Sequence, residues 1–288
     1  MTSPAVSLMW QRQSVWSQAA SRLKARITRA RVAALVLIIL GAALGTAASQ
    51  VFSPNEDLGR VFAACAAGAL ALAAIAGQGS SLSLVRDWTR ARSVSEAIKS
   101  DVYRYLTGIA PYHEADRDEV ALRELDELLA STGDLVRHTT AIDPTGKPLP
   151  AVHDLPSYVE VRVAQQITGY YRPKARQMAG RVRLTRAAVT TLGTVAAVLA
   201  AVVAFFPSAG ISAWIGVLTT VAAAVGAHAG AVRYEYQQIE FTRTADELER
   251  LSTGAPTADV HQFVLDCERV ISIQNEGWMA KLGSAQEE

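Results

Sequence analysis

The apolar positions of this chain fall into four uncharged runs, paired as two hairpins. The first pair covers about 32–50 and 61–77, the second about 187–206 and 211–232. Each run is close to the ~20 residues that a helix needs to cross a bilayer. The other elements show helical periodicity. Leu84, Trp88, Ala91, Ser95, Ile98, Val102 and Tyr105 recur in steps of four and three, a heptad-like seam on a helix over about 81–106. No proline interrupts it, so it is expected to continue the second run directly. Tyr234, Phe241, Ala245 and Leu248 form its counterpart, ended by Gly254 and Pro256. Residues 114–130 read as an acidic amphipathic helix, and 131–156 as loop with a turn at Asp143-Pro144-Thr145-Gly146. Helix resumes over 155–171, with Asp154 as cap and Pro156 in the first turn. Pro173 is expected to kink the helix or separate it from the next. A last helix over about 257–282 carries Phe263, Cys267, Val270, Ile271 and Trp278 as its apolar stripe.

These patterns predict an all-α membrane protein with two transmembrane helical hairpins, four spans in all, and long cytoplasmic helices. Residues 1–110 hold the first basic helix, hairpin and cytoplasmic helix. Residues 111–156 hold the acidic helix and a linker. Residues 157–288 hold the second basic helix, hairpin and cytoplasmic helices.

Charge changes the picture by giving it an orientation. The net charge of +1 hides strong segregation. Arg12, Arg22, Lys24, Arg26, Arg29 and Arg31 precede the first run, with no acid before them. Arg172, Lys174, Arg176, Arg181, Arg183 and Arg186 precede the third. Arg86, Arg90 and Arg92 follow the second and Arg233 the fourth, whereas the hairpin tips hold Glu56, Asp57 and one arginine, or no charge at all. Basic flanks lie on the cytoplasmic side. The expected topology is therefore multi-pass in a bacterial inner membrane, with both termini cytoplasmic. The first run begins too late, and is followed too closely by a second, to be a cleaved leader.

The chain also repeats itself. Trp16, Ala20, Arg26, Ile27 and Arg31 recur at one constant offset as Tyr171, Ala175, Arg181, Val182 and Arg186. Arg92, Glu96 and Lys99 recur at another as Arg243, Glu247 and Arg250. The unit is a basic helix, a hairpin and a cytoplasmic helix, carried twice in the same orientation.

Candidate chemistry is sparse. The histidines His113, His138, His153, His228 and His261 are scattered without metal-ligand spacing. No phosphate loop, nucleophile elbow or zinc pattern is present, so no catalytic residue, metal or cofactor is expected, and the protein is read as not an enzyme. Cys65 and Cys267 read as small buried hydrophobes. The spans carry no ionised residue at their centres, which argues against a coupled transporter. Their milder polarity, Thr190, Thr194, Thr219, Thr220 and His228, supplies candidate pore-lining groups. The alternative is that the threonines bond to their own backbone and that His228 packs between helices. Gly41 and Gly45, and Gly226 and Gly230, have the spacing that lets two helices approach closely, inside a hairpin or between subunits. Trp88, Arg92, Glu96, Arg243, Glu247 and Trp278 are candidate cytoplasmic-helix contacts, with the charged ones expected to bridge to neighbouring helices.

Three stretches carry a family likeness. The first is Trp88-Thr89-Arg90-Ala91-Arg92 with Glu96, Lys99, Ser100, Tyr103, Tyr105, Pro111 and Tyr112. The second is Tyr158, Arg162, Val163, Gln166, Tyr170 and Lys174. The third is Phe263-Val264, Glu268 and Asn275-Glu276-Gly277-Trp278. In this order they resemble the SLATT group of bacterial membrane proteins, two-transmembrane effector domains associated with SMODS and SLOG sensor proteins, here as a tandem duplicate. The resemblance implies an oligomeric, pore-forming effector of a bacterial conflict or antiviral defence system, sometimes coupled to a nucleotide signal. The chain departs from the simple pattern by carrying two hairpins and no recognisable sensor domain, so no residue is assigned to a nucleotide response.

The expected function is therefore an oligomeric inner-membrane protein that forms or gates a pore. The alternative is a non-conducting membrane scaffold or sensor that recruits a cytosolic partner through the acidic helix. Expected partners are the lipid bilayer, further copies of the chain and a cytosolic signalling partner or nucleotide signal. Nucleic acid is not expected, because the arginines are better read as topology determinants that contact anionic headgroups.

Overall fold

The computed structural model describes residues 3–206, 209–254 and 259–284, with side chains described except at 209 and from 273 onward. The described residues form helices and no strands. In chain order these are α1 (Pro4–Val51), α2 (Glu56–Gln78), α3 (Leu82–Thr107), α4 (Arg117–Ala130), α5 (Leu155–Tyr158), α6 (Arg172–Phe205), α7 (Ala209–Val232), α8 (Tyr234–Gly254) and α9 (Val260–Ser284). Four helical stretches are long and apolar enough to cross a membrane. The protein is an all-α membrane protein.

Helix ends follow from local chemistry. Ser3 caps α1 by accepting the Ala5 N–H at 3.1 Å, with Pro4 in the first turn. Asn55 caps α2 by accepting from Leu58 N–H at 3.0 Å, and Glu56 and Asp57 occupy its positive end. Asp154 and Ser157 form a reciprocal capping box at the start of α5.

The helices sort into two compact units that cut across the sequence order. One unit gathers Met1–Ala25, Leu82–Ala175 and Ile239–Glu288. In its core, Val6, Met9, Trp16, Ala20 and Leu23 of α1 pack with Ala91, Val94, Ile98, Val102 and Tyr105 of α3. Both series are heptad-like, so two apolar stripes meet along their length. Val120, Ala121 and Leu125 of α4 and Leu135 close the same core. Another side of α3 packs on α9, whose Phe263, Val264, Cys267 and Ile271 are buried. The stretch after α4 includes a 3₁₀ turn at Gly133–His138. Beyond it the chain is tied to α1 by Trp10 Nε1 donating to Pro148 O (3.0 Å), Gln18 Nε2 to Asp143 O (2.8 Å) and Ser14 Oγ meeting Thr145 Oγ1 (2.6 Å).

Residues Val159–Ala164 and Gln166–Tyr171 are wound as π-helix, which the sequence did not suggest. Pro173 bears on the second of these stretches: its ring collides with the carbonyl four residues back, and wider winding just before it relieves that clash. The chain therefore stays helical from Leu155 to Phe205.

The other unit holds Arg26–Ser81 and Arg176–Gln238. Its surface is apolar: Leu72, Ile75, Val198 and Phe205 are all more than half exposed, as expected of side chains that face lipid. Within the first hairpin, a Cβ at Gly41 would come within 2.7 Å of Leu70 Cδ2, so a larger residue there requires the Leu70 side chain to move.

One expectation is corrected. The helices after the hairpins are not continuous. α2 ends at Gln78 and α3 begins at Leu82, with the Gly79 N–H turning back to Ala76 O and Gly77 O. α7 ends at Val232, and Arg233 has φ of 55° before α8 starts. Apolar pattern alone cannot reveal such breaks, because the residues on both sides of each remain good helix formers.

Candidate functional site

Within the unit that holds α3 and α9, the side chains that carried the family likeness converge. Arg162, from the first π-helical stretch, donates from Nε to Glu268 Oε1 at 2.9 Å and from Nη2 to Oε2 at 2.7 Å. Tyr158 Oη, one turn earlier, donates to the same Oε1 at 2.9 Å. The guanidinium lies 4.6 Å over the ring of Tyr103 of α3, in cation–π geometry. Tyr158 meets Tyr103 and Phe263 edge-on, at 6.1 and 6.4 Å. Arg162 and Glu268 are 1% and 4% exposed, so this charge pair is sealed from water.

Electrostatics follow from that burial. Burial works against the Arg162 charge, but Glu268 outweighs it and holds the guanidinium above its usual value. Burial also pushes Tyr158 well up, reinforced by the Glu268 charge. Cys267, beside the pair, is pushed up to about 12 by burial and by Glu268, so its thiol keeps its proton and lacks nucleophilic character.

A second charge pair lies nearby on α3. Arg92 Nη2 sits 2.7 Å from Glu96 Oε1, one turn away. Burial opposes the Glu96 charge, but Arg92, then Lys99 and Arg162, hold its pKa below the carboxylate norm. Burial dominates at Lys99 and lowers it to about 8, with Arg162 and Arg92 adding to the effect and Glu96 and Glu268 opposing it. One atom of the cluster stands out: Arg162 Nη1 is buried and has no hydrogen-bond partner.

The sequence-selected contact residues are placed as follows. Trp88 lies against the α1–α3 core, with Lys24 Nζ 5.3 Å above its ring. Arg92 and Glu96 pair within α3, and Glu247 pairs with Arg250 within α8, rather than bridging to neighbouring helices as expected. Arg243 is exposed on α8. Bridging falls to residues outside that selection: Arg172 reaches Asp246 at 2.7 Å and Glu249 at 2.6 Å, and Arg90 reaches Asp134 at 2.5 Å. The side chain of Trp278 lies outside the described residues.

In the other unit, Gly41 contacts Leu70 and Gly45 approaches Ala66. Nothing lies within 4 Å of a Cβ built at Gly226 or Gly230. Thr190, Thr194, Thr219 and Thr220 are exposed on the surface of this unit. Thr219 donates to the Ile215 and Gly216 carbonyls. His228 is half-buried, with Nε2 3.4 Å from Tyr234 Oη, and Arg181 Nη1 donates to that hydroxyl at 3.2 Å. Cys65 is exposed rather than buried, because it lies on the outer face of α2. Among the described residues, no cluster of His, Cys, Asp and Glu could hold a metal ion.

What the sequence did not reveal is that Arg162, Glu268, Tyr158 and Tyr103 form one centre. Their order along the chain was informative, but their contact depends on α3, α9 and the π-helical segment meeting.

No curated protein and no solved structure matches the chain. Residues 14–119 match a protein family of unknown function, DUF4231. Residues 158–278 match the family described as SMODS and SLOG-associating 2TM effector domain 1. That span includes Tyr158, Arg162, both helices of the second hairpin and Glu268. The first match covers the other hairpin, consistent with a tandem arrangement. Over residues 158–278 the chain is thus similar to the SMODS and SLOG-associating 2TM effector family.

Proposed function

We propose that the protein is an oligomeric effector of a bacterial conflict or defence system that forms or gates a pore in the inner membrane. The observation that carries this reading is an uncovered face on the second hairpin. On α7, Thr219, Ala223, Gly226 and Gly230 share one side of the helix and are exposed. On α6, Thr190 and Thr194 are exposed one turn apart. Lipid tails give such a face little, since they are as apolar as any partner helix. Small residues and hydroxyls gain dispersion contacts and hydrogen bonds only when another helix approaches. A ring of such faces also supplies the hydroxyl-lined, otherwise apolar wall of a gated channel.

The breaks at Gly79–Ser81 and at Arg233 set how a shift of the cytoplasmic helices would reach the spans. Each cytoplasmic helix meets its hairpin through a jointed segment, so a shift is passed on by rotation about a joint and not along a rigid rod. The arginine-rich flanks support an inner-membrane topology with both termini in the cytoplasm.

Purified chain in planar bilayers, with the particle mass measured in parallel, tests the proposal. Discrete conductance from a multi-subunit particle supports it. A monomeric particle without conductance favours the scaffold reading, for which the exposed acids Glu119, Asp126 and Glu127 of α4 are the docking candidates. Protease protection of tags at each terminus in inverted vesicles checks the topology.

A further inference from the structure

The unit that holds the Arg162–Glu268 pair also contains a cavity of about 630 Å³. Its walls come from α1, α3, the segment around Thr145 and Lys147, and the π-helical stretch 161–170. A volume of this size accommodates a small organic molecule, for which ~300–1,000 Å³ is usual. The lining side chains are mostly of polar type, while the surface they present is about half apolar. Amides and hydroxyls such as Gln13, Ser17, Gln165 and Thr168 are interleaved with the rings of Trp10 and Tyr170, and Val161 is the sole aliphatic side chain among the lining residues. Such walls suit a ligand that combines charged groups with a flat or ring-shaped part.

The charge of the site is more specific. Arg92, Lys99, Lys147 and Arg162 line it. Against them stand Glu96, paired with Arg92, and Glu268, paired with Arg162. Four cations facing two carboxylates leave two positive charges unbalanced. A phosphate monoester carries nearly two negative charges at neutral pH and three strong acceptor oxygens. A single carboxylate would neutralise half of the excess. Arg162 adds charge from within the wall: it is 1% exposed, with Nε and Nη2 committed to Glu268. The π-helical winding fits the same picture, since wide turns of this kind concentrate at functional sites.

We propose that this cavity binds a water-soluble, phosphate-bearing small molecule, held by Lys99 and Lys147 with the charge of Arg162 behind them. The site is independent of whether the hairpins conduct, so its test uses binding and not current. The full chain in detergent is titrated calorimetrically with inorganic pyrophosphate and with inorganic phosphate, and with sodium chloride at matched ionic strength as control. Saturable binding of either phosphate probe is expected, weakened about tenfold by Lys99→Met or Lys147→Ala, the effect of losing one charge-assisted hydrogen bond. Arg123→Gln, on the exposed face of α4 and outside the cavity, leaves binding unchanged. Binding should also weaken as pH rises through about 8, where Lys99 loses its proton among Arg92, Glu96, Arg162 and Glu268, and Lys99→Arg should abolish that loss. Absence of saturable binding for both probes overturns the proposal. So does binding that survives Lys99→Met and Lys147→Ala unchanged, because the anion would then sit elsewhere.

Discussion

Arg162 and Glu268, 106 residues apart in sequence, join through two parallel hydrogen bonds of 2.9 and 2.7 Å with both side chains buried. The pair links the π-helical segment to α9, and Tyr158 and Tyr103 enclose it. Taking two charges out of water carries a large desolvation cost, which the bidentate geometry offsets. Loss of one partner should therefore be far worse than loss of both. Glu268→Leu is expected to destabilise the folded protein by ~3–5 kcal/mol, whereas Arg162→Met with Glu268→Leu together should recover much of that. Thermal unfolding of the detergent-solubilised variants measures the difference.

Asp101 gives a pH signature. Burial pushes its carboxyl up to about 6 from the ordinary 3.8, against the opposing pull of Arg104. The folded state then holds a proton that the unfolded chain has released. Its contribution to stability is complete below about pH 4 and is lost as pH rises through about 6. Asp101→Asn should flatten that part of the stability profile. Unfolding midpoints recorded between pH 4 and 7 for both proteins check this.

The glycine pairs should separate by role. Gly41 is pressed against Leu70, so Gly41→Leu is expected to disrupt the first hairpin and lower its unfolding temperature. Gly226 and Gly230 face open space in the monomer, so Gly226→Leu with Gly230→Leu should leave the unfolding temperature near that of the parent. The same change should shrink the oligomer, because the added side chains hold neighbouring helices apart. Light scattering with size separation reads the mass. An unchanged mass would remove the α7 face from the proposed assembly.

Arg233 tests the joint after the second hairpin. Its φ of 55° lies in the left-handed region, which disfavours side chains branched at Cβ. Arg233→Val should cost ~1–2 kcal/mol, while Arg233→Gly should be tolerated. Thermal unfolding of the two variants side by side distinguishes a strained joint from a regular helix, in which glycine would be the worse substitution.

Much of the architecture was legible along the chain because its cause is one-dimensional. An uncharged run such as 187–206 has to be satisfied by lipid and internal hydrogen bonds whatever surrounds it, and the arginines before it mark its orientation. Asp154 and Pro156 announced a helix start because capping is a contact between residues three apart. The seam from Leu84 to Tyr105 was legible for the same reason, as periodicity within one helix.

Tertiary structure decided what depends on residues distant in sequence. Nothing near Arg162 indicates that its partner is Glu268, and nothing near Arg92 indicates that Glu96 is screened from solvent by other elements. The breaks at Gly79 and Arg233 and the π-turns ahead of Pro173 each involve only a few residues and leave the hydrophobic periodicity on either side almost unchanged. The cavity exists only because α1, α3, the Thr145–Lys147 segment and the π-helical stretch fail to close on one another. A void is a property of several surfaces at once, and no local pattern of residue types encodes it.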